Sequence, residues 1–140
     1  MKLRALVYSS KGKLHTLAGD IVAKYASDVA NSYDKIPPAY SCNKERLVII
    51  VASVSKSIDT TLERFLKELT KERANNVAFI VDGPAEGAEA LKKLVSEAGA
   101  NVIDDVLYIK GGLLPFLKSV KPEEKAAAFE WVDKITPQMI

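Results

Sequence analysis

Two segments, residues 47–54 (LVIIVASV) and 77–81 (VAFIV), are almost unbroken apolar runs. A strand with one wet face alternates apolar and polar side chains, whereas an unbroken run suits a strand covered on both faces. Cover on both faces requires helices on each side of a parallel sheet. Two further runs, residues 3–8 (LRALVY) and 102–109 (VIDDVLYI), share the character less completely.

Segments of helical period separate these runs. Leu14, Leu17, Ala18, Ile21, Val22, Tyr25, Ala26 and Val29 form one apolar stripe and predict a helix reaching Val29. Ile58, Leu62, Phe65, Leu66 and Leu69 predict a second, with Ser57 as its N-cap and Asp59 placed well for the helix dipole. Leu91, Leu94, Val95 and Ala98 mark a third that stops at Gly99, a residue tolerant of positive φ. The last starts at Pro122, carries Glu123 and Glu124 in its first turn, and buries Ala128, Trp131, Val132 and Ile135. Residues 31–46 break the pattern, because Pro37 and Pro38 exclude a helix and weaken an interior strand, leaving at most a short edge strand near residues 32–35. The expected fold is α/β: a doubly wound three-layer sandwich on a parallel five-stranded sheet.

At 140 residues this is one expected domain, residues 1–140, of ordinary globular composition, 48% hydrophobic and 27% charged. A net charge of +2 gives no reason to expect a nucleic-acid or membrane partner. One cysteine, Cys42, and one histidine, His15, exclude an internal disulfide and a Cys/His metal cluster. The opening MKLRALVY is too short and too interrupted for a signal-peptide core, so a cytoplasmic location is expected.

In such a sheet the ligand site lies beyond the carboxyl ends of the strands. The loops to inspect are therefore 9–14, 53–58, 82–87 and 110–114. The first reads Ser9, Ser10, Lys11, Gly12, Lys13, Leu14 and runs straight into the best helix. Hydroxyls, a glycine and free N–H groups at a positive helix end suit an anion; the same residues also make an ordinary strand-to-helix turn with solvated lysines.

That loop resembles the phosphate loop of the flavodoxins, Ser/Thr-x-Thr-Gly-x-Thr, in which Ser9 and Gly12 match while Lys11 and Leu14 replace two threonines. Ile36-Pro37-Pro38-Ala39-Tyr40, the helix around Phe65, Lys110-Gly111-Gly112-Leu113 and Glu130-Trp131 extend the resemblance over nearly the whole chain. The resemblance implies strand order 2-1-3-4-5, FMN as cofactor, electron transfer as function and a redox partner protein. It places the phosphate on Ser9, Ser10, Lys11, Gly12, Lys13 and Leu14. The ring falls against Ser53, Val54, Ser55 and Lys56 of one loop and Asp82 and Gly83 of the next. Neither ring loop holds the aromatic that flavodoxins usually place there. A flavin-free binding or regulatory module on the same scaffold is the alternative.

Other residues have simpler readings. His15 is expected to be an exposed helical side chain, Cys42 an incidental thiol, and Phe129 and Trp131 packing residues. Asp104 and Asp105 are expected to lie within the last strand and face solvent. A receiver domain would need acidic residues where Ser9 and Ser53 stand, although Lys110 occupies the place of its lysine. Neither G-x-x-x-x-G-K-S/T nor G-x-G-x-x-G occurs.

Overall fold

The long apolar runs become the two central strands of one parallel sheet. In the computed structural model, which describes residues 1–112 and 116–140, six strands form: β1 (Leu3–Tyr8), β2 (Tyr33–Lys35), β3 (Glu45–Ser53), β4 (Ala74–Asp82), β5 (Asn101–Val102) and β6 (Leu107–Tyr108). Their order is β2-β1-β3-β4-β5, with β6 also paired to β4, so the strand order is the flavodoxin-like 2-1-3-4-5. β1 pairs with β3 from Leu3 opposite Leu47 to Tyr8 opposite Ala52, and β3 pairs with β4 as far as Ser53 opposite Asp82.

Helices α1 (Gly12–Tyr25) and α4 (Pro122–Ile135) cover one face, and α2 (Thr60–Lys67) and α3 (Ala85–Ala98) cover the other. The first layer buries Leu14, Leu17, Ile21, Trp131 and Val132 on Ile49 and Val51; the second buries Leu62, Leu66 and Leu91 on Ile50 and Phe79. Alternate residues of β3 therefore serve opposite cores, which is why its sequence shows no alternation. Gly99 ends α3 with φ 118°, as its placement in the sequence suggests. Among the described residues no helix is long and apolar enough to cross a membrane.

Three expectations need correcting. The apolar stripe of α1 stops at Tyr25: the Ser27 N–H turns to the Met1 carbonyl (2.9 Å), and Val29 sits half exposed in a separate short turn. Asp59, not Ser57, caps α2, accepting the Thr61 N–H at 2.9 Å. The strand expected over residues 102–109 is broken in two, because residues 102 to 107 run alongside only 77 to 80 of β4. The extra residues include Asp104 and Asp105, which face opposite layers. Asp104 pairs with Lys92 of α3 at 2.7 Å and Asp105 with Lys134 of α4 at 2.9 Å, while the Asp105 carbonyl accepts the Trp131 indole N–H at 3.0 Å.

Candidate functional site

Only Ser9, Ser10 and Lys11 separate β1 from α1, so the helix N-terminus is delivered directly to the carboxyl edge of the sheet. Sheet register places the ends of β3 and β4 beside it, and three side chains meet there. The Ser9 hydroxyl accepts the Lys11 N–H (2.9 Å) and lies 2.7 Å from the Ser53 hydroxyl, which lies 3.1 Å from Asp82 Oδ2. A carboxylate only accepts, so Ser53 donates to Asp82 and Ser9 donates to Ser53. The result is a directed chain across β1, β3 and β4.

His15 is not the free side chain its sequence position suggests. Its Nε2 donates to the Ser9 carbonyl at 2.9 Å, and its Nδ1 hydrogen-bonds the Tyr33 hydroxyl. The loop is thereby tied to the edge strand β2. Burial, and then the charge of Asp34, push the Tyr33 phenol above its ordinary value.

The remaining candidate residues separate into three groups. Ser10 is exposed, and the N–H groups of Gly12 and Lys13 have no protein acceptor among the described residues. Lys11 reaches across to the Gly112 carbonyl. A Cβ on Gly111 would lie 2.6 Å from Asp82 Oδ2 and 2.9 Å from Lys11 Cγ, so the absent side chain lets Gly111 itself sit against Asp82 and Lys11. Lys13 is turned away, its ammonium 2.6 Å from Glu124 on α4. Burial opposes ionisation of Glu124, but hydrogen bonds from Lys13 and the Lys121 N–H outweigh it and hold the carboxyl below its ordinary value. Leu14 is fully buried in the core.

The two loops expected to grip a ring are pressed together. The Val54 N–H donates to the Asp82 carbonyl at 2.9 Å, extending the ladder past the end of β3. Gly83 takes φ 155°, and a Cβ there would lie 2.2 Å from the Val54 carbonyl oxygen, so only glycine fits. The Ser55 hydroxyl donates to the Ser57 carbonyl (3.0 Å) at the surface, while Lys56 is mostly exposed, 3.9 Å from Glu86.

The open space lies on the other side of Asp82. A cavity of about 400 Å³ is lined by Val81, Asp82, Gly83, Tyr108, Ile109 and Lys110. Tyr108 is 49% exposed and supplies the aromatic surface that the two ring loops lack. The sequence held a signal for it: within residues 102–109 Leu107 and Ile109 pack into the core, so Tyr108 faces outward at the strand's carboxyl end.

No family model matches this chain, and neither does any curated protein. The site must be read on its own chemistry. Among the described residues no group of three or more His, Cys, Asp or Glu side chains is arranged to hold a metal ion. Cys42 is buried, which pushes its thiol up to about 11 despite the opposing influence of Arg4. A thiol so rarely ionised is a poor nucleophile.

Proposed function

We propose that this chain is a flavodoxin-like carrier that holds FMN at the carboxyl edge of its sheet and passes electrons to a redox partner protein. One observation supports this reading above the others: a three-residue loop brings the N–H groups of Gly12 and Lys13, which have no protein acceptor among the described residues, to the β1–β3 switch point of a 2-1-3-4-5 sheet. Those groups, with Ser10 and the ammonium of Lys11, fit a phosphate. The cavity beside Asp82 and Gly83 is lined by the half-exposed Tyr108, an aromatic for a planar ring to pack on. FMN, when bound, supplies the electron chemistry, and the protein sets its position and surroundings.

A second reading, a flavin-free binding or regulatory module, is favoured by a different observation. The Ser9 hydroxyl is engaged by Lys11 and Ser53, and the Val54 N–H is taken by Asp82, so these groups are satisfied without a ligand.

Fluorescence and absorbance titration with FMN separates the two. Saturable binding is expected, abolished by Gly12→Asp, which puts a like charge against the phosphate. Tyr108→Ala should weaken binding by up to about tenfold, the worth of one aromatic contact. No binding at micromolar FMN would favour the flavin-free module.

A further inference from the structure

The opposite end of the sheet holds two buried charges of opposite sign that make no direct ion pair with each other. Arg4, second residue of β1, is 7% exposed, and Glu45, first residue of β3, is 6% exposed. Neither takes part in any ion pair among the described residues. Arg4 Nη1 donates to the Tyr40 carbonyl (2.9 Å) and contacts Cys42 Sγ (3.8 Å), and its Nε is buried without a partner. No hydrogen bond from its Nη2 is formed within the described residues. A guanidinium does not shed its charge by deprotonating, and a buried one is normally matched by a carboxylate. Glu45 Oε2 accepts the Asn43 N–H at 2.5 Å, which leaves its other oxygen for a cation.

Both side chains line one cavity of about 340 Å³, together with Asn31, Tyr40 and Ser41. Tyr40, which also lines this cavity, is 76% exposed. We propose that this cavity binds a free α-amino acid, its carboxylate on the Arg4 guanidinium, its ammonium on the Glu45 carboxylate and its side chain along Tyr40. Two charges of opposite sign in one small cavity, neither ion-paired among the described residues, match a zwitterion, whereas a simple anion would leave Glu45 as an added repulsion. The volume suits a small molecule. The site is separate from the carboxyl edge, since Arg4 and Glu45 stand at the amino ends of strands whose carboxyl ends carry Ser9 and Ser53.

The test is a thermal-shift screen of the unaltered protein against the twenty free amino acids one at a time, followed by calorimetry on the best. The best amino acid is compared with the carboxylic acid and the amine that carry the same side chain. At least one amino acid is expected to bind saturably and to outcompete both analogues. Glu45→Gln should weaken it about tenfold or more, as should Arg4→Lys, because each removes a charge-assisted or bidentate contact. If Arg4→Lys fails to fold by circular dichroism, Glu45→Gln alone decides. No saturable binding at millimolar amino acid overturns the proposal. So does binding that Glu45→Gln leaves unchanged, or a carboxylic acid that binds as tightly as its amino acid.

Discussion

Asn76 shows how much one polar side chain organises at the amino end of the sheet. It is fully buried on β4, yet its amide is satisfied. Nδ2 donates to the carbonyls of Arg46 (2.9 Å) and Ile140 (3.0 Å), and Oδ1 accepts from the Ile140 N–H (2.9 Å) and from Asn101 Nδ2 (2.8 Å). An apolar replacement removes all four of these hydrogen bonds at once. Asn76→Val should therefore cost about 2–3 kcal/mol in urea unfolding despite strengthening the apolar run of β4. A loss below about 0.5 kcal/mol would show that water replaces the amide there. Nothing in the sequence marks this role, because an Asn beside Val77 reads as the edge of a strand, and its partners lie 25 to 64 positions away. Arg4 and Glu45 were hidden for the same reason: each looks like a solvated charge at a strand end until the 40–45 segment folds over it.

At the scale of elements the sequence is most legible where burial is two-sided and least where an element ends. The almost unbroken runs at 47–54 and 77–81 suit strands covered on both faces, and they form the two central strands. The register that brings Ser53 opposite Asp82 follows from them, and so does the meeting of Ser9, Ser53 and Asp82. Helix ends were misplaced because periodicity does not report what competes for the last N–H groups. The Met1 carbonyl draws Ser27 out of α1, and Asp59 displaces Ser57 as cap of α2 because its carboxylate also receives the Tyr8 hydroxyl at 2.5 Å. That hydroxyl first, then the Thr61 N–H, holds the Asp59 carboxyl below its ordinary value. A depressed carboxyl stabilises the fold above its unfolded pKa of about 3.9, and the contribution disappears as pH falls through the lower folded value. Asp59→Ala should lower stability at neutral pH, because it removes the cap. Chemical denaturation of both proteins below pH 3 should show that difference shrinking; a constant difference would mean that the cap works without its charge.

For the whole molecule, the question is how the α1–α4 layer stays closed over β1 and β3, since α4 joins the sheet through the last loop of the chain. Tyr25, last residue of α1, spans the two helices: its hydroxyl shares a proton between the Phe129 carbonyl (2.9 Å) and Asp133 (3.0 Å), and its ring meets Phe129 edge to face. Lys13 and Glu124 bridge the other end of α1 to the same helix. Burial first, then the Asp133 carboxylate, push the Tyr25 phenol from 10.0 up to about 12. A phenol whose folded pKa is raised stabilises the fold fully below its unfolded value, and the contribution is lost as pH climbs from 10 through about 12. Tyrosinate has no proton to donate and repels Asp133. Tyr25→Phe keeps the ring contact and removes only the hydroxyl, so it should cost about 1 kcal/mol at neutral pH. The deficit should vanish or change sign above pH 11, because lysines and other tyrosines titrate equally in both proteins and cancel in the difference. Guanidinium midpoints of the pair across that range, with tyrosinate absorbance recorded alongside, check it. A deficit that persists unchanged would place the stabilisation in the ring contact, and the closure of the layer would then rest on apolar packing and the Lys13–Glu124 bridge.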